Sequence, residues 1–241
     1  MTVRQIDLAS VVFFRTNLVY QKIIIVSGGR LVDPVFSHKK IAEIGNCLII
    51  CCDGGARHFQ YMGIKPDVII GDMDSIDPVQ LVKYSAQGIK IIDYPANKDF
   101  TDTELALDYA MSLKPEEIFI WCALGGRIDH TLANVFLLCK GLEKGIRIYM
   151  VDEYGEAFVL DKKTSFINET GKTVSLVALS PEVKGINLTG FLYPMKEGKL
   201  IMGESRGVSN IINEARASIS VQHGLLLIIR YWQKDIFPEA L

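Results

Sequence analysis

Between residue 21 and about residue 151 the chain repeats one pattern: a short apolar run, a Gly or Asp, then an amphipathic stretch. The runs are 23–26, 48–52, 68–70, 89–92, 118–122 and 146–151. They are nearly continuous rather than alternating, as strands covered on both faces are. Helices are expected between them. The clearest is 101–113, with Leu105, Leu107, Ala110 and Met111 apolar and a Thr-Asp start suited to capping; the next is 130–144. Strand–helix alternation predicts an α/β fold with a parallel, Rossmann-like sheet carrying helices on both faces.

After about residue 160 the texture changes. Short strand-like runs at 173–178, 199–202, 218–221 and 225–231 are broken by Gly, Asn and Pro, and no long helical period appears. Turns are expected at Glu169-Thr170-Gly171 and at Lys196-Glu197-Gly198, the second between hairpin strands. The expected organisation is an N-terminal extension over 1–20, an α/β nucleotide- and metal-binding domain over 21–155 and an all-β sandwich domain over 160–241.

Composition narrows the function. At 241 residues and 49% hydrophobic, the chain can bury a sizeable core. A net charge of −2 carries no basic excess of the kind that nucleic-acid binding needs. Cys47, Cys51, Cys52, Cys122 and Cys139 lie in apolar runs without a C-x-x-C pair, and read as free thiols of a reducing compartment. No run is long enough for a membrane helix. The apolar stretch 8–14 follows Asp7, with no basic cluster before it and no small-residue cleavage site after it. A cytoplasmic protein is expected.

The candidate chemistry follows the strands. In open parallel sheets ligands bind at the carboxyl ends of the strands, and those exits read Ser27-Gly28-Gly29-Arg30, Asp53-Gly54-Gly55-Ala56, Gly71-Asp72-Met73-Asp74-Ser75, Lys98-Asp99-Phe100-Thr101-Asp102 and Gly125-Gly126-Arg127-Ile128-Asp129-His130. Asp72 and Asp74, two apart in an extended segment, would face one side and repel unless a cation lay between them. Mg²⁺ suits one or two carboxylates plus phosphates, and Mn²⁺ is admitted in its place. The alternative is that Asp72 caps a helix and Asp74-Ser75 forms an Asx turn. Asp102 is the third candidate ligand. Asp99 or Thr101 caps the helix that follows, and Lys98 is a candidate contact for phosphate or substrate. Glycine pairs let a backbone approach phosphate, and Arg127 can clamp its oxygens. The nucleotide set is Ser27, Gly28, Asp53, Gly54, Gly55, Asp99, Thr101, Arg127, Asp129 and His130; Asp53, Asp99 and Asp129 stay open between nucleotide contact, capping and orientation. Neither a G-x-x-x-x-G-K-[ST] loop nor G-x-G-x-x-G is present.

Together with Gly207-Val208-Ser209-Asn210, these motifs resemble the thiamine pyrophosphokinase family from about residue 22 to 231. The resemblance implies a homodimer with active sites between subunits, and transfer of diphosphate from ATP to thiamine with release of AMP. It implies Mg²⁺ on Asp72, Asp74 and Asp102, the catalytic set together with Arg127. Ser209 and Asn210 would touch thiamine, and Lys98 would approach its pyrimidine from the other subunit. Competing readings are a pyrophosphokinase for a hydroxymethyl pterin, a non-catalytic thiamine or nucleotide sensor, and a metal-dependent phosphohydrolase.

Overall fold

The structure, a computed structural model, describes residues 20–97 and 99–232. Lys98 and, apart from Tyr20, the expected extension over 1–20 lie outside them.

The first half alternates as the apolar runs require: β1 (Lys22–Val26), α1 (Pro34–Ile44), β2 (Leu48–Cys52), α2 (Ala56–Met62), β3 (Val68–Gly71), α3 (Pro78–Ala86), β4 (Lys90–Asp93), α4 (Asp102–Ser112), β5 (Glu117–Trp121), α5 (Ile128–Leu137) and β6 (Arg147–Val151). All these strands pair in parallel. Successive side chains of a strand point to opposite faces, and here both faces are roofed. Ile23, Ile25, Ile50 and Ile70 pack against Ala106, Leu107 and Met111 of α4 and Leu137 of α5. Ile24, Val26, Cys51 and Ile69 pack against Ile41 of α1, Phe59 of α2 and Tyr84 of α3. Each fully buried Ile contributes about 1.5–3 kcal/mol by leaving water.

Helix boundaries follow local chemistry. Thr101 accepts from Glu104 N and caps α4. Asp77 accepts from Val79 N and Gln80 N and caps α3, with Pro78 at its first turn. The helix expected over 130–144 begins two residues earlier, at Ile128, and tightens after Leu137 into a 3₁₀ turn over Leu138–Lys144. Gly141 there packs against the Ile146 carbonyl so closely that no side chain would fit.

The second half supplies β7 (Gly155–Leu160), β8 (Lys163–Ile167), β9 (Thr173–Ala178), β10 (Glu182–Thr189), β11 (Met195–Ile201), β12 (Asn210–Ile211), β13 (Arg216–Ser220) and β14 (Leu226–Tyr231). β7 pairs antiparallel with β6, so one ten-stranded sheet runs β12-β9-β14-β7-β6-β5-β1-β2-β3-β4 through both halves. A four-stranded sheet, β11-β10-β13-β8, packs on its far end as a sandwich. Leu176 and Ile228 of the long sheet meet Ile186, Leu188 and Ile219 of the short one. The turn expected at Lys196-Glu197-Gly198 is a bulge inside β11: Glu197 is left-handed (φ 49°), and the β10–β11 register shifts on either side of the Ile186–Gly198 pair. Among the described residues no helix is long and apolar enough to cross a membrane.

Candidate active site

β1 to β4 spread one way from β1, and β5 and β6 lie on its other side. The strand order therefore reverses between β1 and β5, where loops diverge and leave a crevice at the carboxyl ends. A cleft of about 650 Å³ occupies that place, lined by the exits of β1, β2 and β5 and by the start of α4. Two Gly-Gly-Arg triplets face each other across it, ending in Arg30 and Arg127. A Cβ on Gly125 would lie 2.8 Å from the Arg30 Cβ. Arg57, in the first turn of α2, is the third guanidinium on the lining; its Nη2 donates to the Gly28 carbonyl. His58 Nε2 donates to the Gly29 carbonyl at 2.9 Å, which fixes its proton on that nitrogen because a carbonyl only accepts. Arg30 and Arg57 were not singled out in the sequence, although Arg30 repeats the triplet that marks Arg127.

The carboxylates gather beside this cleft. Asp53, Asp72 and Asp74 each place an oxygen within 4.8 Å of the others. Asp53 is 1% exposed; its Oδ2 accepts from Ser75 N at 3.0 Å, while its buried Oδ1 has no hydrogen-bond partner among the described residues. Gly71 makes this approach feasible, since a Cβ there would collide with the Asp53 Cβ. That same Cβ would lie 3.4 Å from Asp102 Cγ, so Asp102, on the cleft lining, adjoins the cluster. The segment Asp72–Asp74 is not extended, as the spacing suggested. Met73 is left-handed (φ 62°), and Asp74 N approaches Asp72 Oδ1 at 3.5 Å. Nor does Asp72 cap a helix; Asp77 does. Three carboxylates, one with a buried oxygen that nothing satisfies, make a hard donor set suited to a divalent cation.

Burial, and after it Asp74, Asp72 and Asp102 against the opposing Ser75 N–H, push the Asp53 carboxyl up to about 6. Its folded value exceeds the ordinary 3.8, so the stability this group contributes is present below pH 3.8 and lost as pH rises through about 6. A divalent cation binds the ionised form. Mg²⁺ should therefore raise the melting temperature little near pH 5 and clearly near pH 7.5; equal increments in the two thermal scans would contradict this.

The other candidates divide. Ser27 Oγ hydrogen-bonds Thr103 Oγ1 at 2.7 Å, tying the β1 exit to the first turn of α4. Gly28 and Gly54 abut, at 3.2 Å from a Cβ built on the former, and Gly55 lies beneath them against the Val26 carbonyl. Arg127 holds Asp129 through Nε–Oδ1 at 3.1 Å and Nη2–Oδ2 at 2.5 Å, and this pairing lowers the Asp129 carboxyl to about 2. His130 lines the cleft, and its backbone N–H donates to Asp129. Asp99 is exposed in the bend before α4, and Thr101 is the cap. All five cysteines are free thiols.

Ser209 and Asn210 lie elsewhere. They sit at β12, the opposite edge of the long sheet. Asn210 is buried, accepts from Tyr193 N and Ile211 N, and donates to the Tyr193 carbonyl. It thereby pins Tyr193, a residue that is 65% exposed. Ser209 is left-handed (φ 61°), and its N–H donates to Ser175 Oγ.

The fold and site together define a class: a doubly wound α/β unit with a cleft of cations and carboxylates at its switch point, continued along one sheet into a β-sandwich. Comparison with known proteins gives the particular family. Residues 43–150 match the model of the thiamin pyrophosphokinase catalytic domain, and residues 161–226 that of the thiamin pyrophosphokinase vitamin B1 binding domain. The thiamine pyrophosphokinase of Bacillus subtilis (strain 168) is 32% identical over 185 residues, 76% of this chain and 86% of that one. A crystal structure of the Bacillus subtilis enzyme superposes with a TM-score of 0.77 at 30% identity, covering 87% of this chain and 98% of the other. That of thiamin pyrophosphokinase from Geobacillus thermodenitrificans gives 0.76 at 27% identity, covering 90% and 100%. The chain belongs to the thiamin pyrophosphokinase family.

Proposed function

We propose that the chain is a thiamine pyrophosphokinase that moves the β,γ-diphosphate of ATP onto the hydroxyl of thiamine and releases AMP. The observation that carries this reading is the Asp53–Asp72–Asp74 cluster, with its unpartnered buried oxygen, beside a cleft that presents Arg30, Arg57 and Arg127. Negative and positive groups so placed suit a polyphosphate with a cation on it, while the substrates themselves come from the family.

Asp72, Asp74 and Asp102 would hold Mg²⁺, or Mn²⁺, with Asp53 as a fourth carboxylate behind them. The bound cation would supply charge neutralisation on the diphosphate. Ser27, Gly28 and Gly54 would form the floor on which the nucleotide lies, with Gly55 supporting them from beneath and the α4 and α5 starts (Asp99, Thr101, Asp129, His130) at its sides. Arg127 donates its forked N–H groups to phosphate oxygens in exchange for Asp129. Phosphoryl-group transfer depends mainly on such positioning and charge neutralisation.

The remaining assignments are part of the same proposal: residues 21–155 serve nucleotide and metal, and 160–241 serve thiamine. Ser209 and the Tyr193 ring that Asn210 pins would take thiamine, since an exposed aromatic face attracts a cationic heterocycle. Strands stand about 4.8 Å apart, which puts β12 roughly 29 Å across the sheet from β1. That span supports a homodimer in which one subunit's β-sandwich faces the other's cleft, with Lys98 contributed across the interface. Free thiols support a cytoplasmic setting.

Incubation with ATP and Mg²⁺, with and without thiamine, tests the reading. AMP release that requires thiamine is expected, and sedimentation at the assay concentration should show a dimer. ADP or phosphate release without thiamine would instead indicate a hydrolase. Tight thiamine binding without turnover would indicate a sensor, and AMP release with a hydroxymethyl pterin in place of thiamine would reassign the acceptor.

A further inference from the structure

The carboxylates Asp72 and Asp74 flank a residue in a conformation its side chain disfavours. Met73 has φ 62°, the left-handed region in which a Cβ crowds the backbone and which glycine and asparagine enter more readily. In an extended chain the two acids would stand about 7 Å apart at their Cα atoms. The reversal at Met73 instead turns the segment back on itself, so that both carboxylates converge on Asp53 with oxygens within 4.8 Å.

The strained turn is held from several directions. Ser75 N donates to Asp53 Oδ2 at 3.0 Å, and Ser75 Oγ donates to Asp74 Oδ1 at 2.9 Å. The partly buried Met73 side chain packs on the core beneath α1, α2 and α3, and Ile76, three residues on, is buried at 4% exposure. Gly71 before the turn and the Asp77 cap after it fix both flanks. The two Ser75 donors offset only part of the repulsion among the three acids, and burial with the neighbouring carboxylates still leaves the Asp53 carboxyl raised. Glycine at 73 would enter the turn without strain, yet would leave it without an anchor in the core.

We infer that Met73 is a positioning residue: its left-handed backbone, steadied by a partly buried side chain, pre-assembles Asp72 and Asp74 into a divalent-cation site before the cation arrives. Conformational strain kept at a functional loop in this way reduces the ordering that binding would otherwise demand. The inference rests on the carboxylate cluster being a cation site, as proposed above.

The test is Mn²⁺ binding to the full chain, with free Mn²⁺ counted by its electron paramagnetic resonance signal, for wild type, Met73→Gly, Met73→Val and Met73→Thr. β-Branched residues tolerate positive φ worst, so Met73→Val and Met73→Thr should each weaken Mn²⁺ affinity about tenfold or more. Met73→Gly, which keeps the turn and loses only the anchor, should show a smaller loss, within about threefold of wild type. Cooperative melting in EDTA shows which variants are folded, and the polar Met73→Thr stands in should Met73→Val not fold. In turnover assays the β-branched variants should need correspondingly more Mg²⁺ for half-maximal rate and recover much of kcat at saturation, which a merely structural defect would not do. Wild-type affinity in the folded β-branched variants would overturn the inference. So would an equal loss in Met73→Gly, which would place the effect in side-chain packing alone. A wild type that binds no Mn²⁺ would overturn the cation-site reading itself, and the positioning role with it.

Discussion

Replacing Asp72 or Asp74 by asparagine should abolish turnover while leaving the fold intact. Each residue contributes one arm of the cluster that converges on Asp53, and asparagine keeps the shape while removing the charge. Losing one preorganised electrostatic partner of a phosphoryl group costs roughly 10²- to 10³-fold in kcat, and loss of the cation would cost more. The fold should not suffer, because Asp74 is exposed, Asp72 is half-buried and neither caps a helix. Removing either charge relieves like-charge repulsion on Asp53, whose carboxyl that repulsion helps to raise. The cation-free variants should therefore melt at the same temperature as wild type or above it. Opposite changes in activity and cation-free stability mark residues placed for function at the expense of the fold. Near-normal thiamine-dependent AMP formation in either variant would remove the metal assignment.

The parallel half was legible because strands covered on both faces leave unbroken apolar runs, and all six runs fall on β1 to β6 to within one residue at each end. The site's rim was legible for the same reason: parallel strands bring their exits to one edge, so Gly and Asp after each run converge. Backbone detail was not. Methionine carries no sign of a left-handed φ, so Asp72–Asp74 read as extended, whereas the tertiary contacts of Met73, Ser75 and Asp53 impose the turn. Gly198 read as a turn because glycine marks hairpins and bulges alike. β10 escaped notice because Gly185 and polar residues interrupt its alternation. The continuity of the long sheet rests on the antiparallel pairing of β6 with β7, a tertiary choice that no local pattern encodes. Asp53 stayed open between nucleotide contact, capping and orientation because only the fold shows Gly71 making room for it beside Asp72 and Asp74.

Arg230→Ala should destabilise the chain strongly although Arg230 lies outside the hydrophobic core. Arg230 lies on β14 directly opposite Glu156 of β7. Its Nη2 donates to Glu156 Oε1 at 2.8 Å, and its Nη1 donates to Glu169 in the turn after β8. All three side chains are less than a fifth exposed. The guanidinium also lies between the rings of Phe166 and Trp232, at 5.8 and 5.1 Å from their centroids. One cation thus fastens the long sheet to the turn that leads out of the short one. Its removal takes from Glu156 its ion pair at 2.8 Å, in a position where burial already raises its carboxyl, and leaves Lys172, 3.3 Å from Glu169, as the cation shared by both. Breaking a buried pair in this way costs about 3–5 kcal/mol, because the stranded charge, and not the lost bond alone, sets the penalty. Urea unfolding at neutral pH should show that loss as a lower midpoint, and a loss below about 1 kcal/mol would sink the assignment. The sign with pH follows from Glu156. With Arg230 gone its folded value rises further above the unfolded one, so the penalty is present above the folded value and fades as pH falls toward the unfolded value. The gap between wild type and Arg230→Ala should accordingly narrow in mildly acidic buffer. Arg230→Lys should fall between them, since an ammonium cannot bridge two carboxylates and stack between two rings at once. Adding Glu156→Gln and Glu169→Gln to Arg230→Met should recover much of the loss, which separates stranded charge from lost packing.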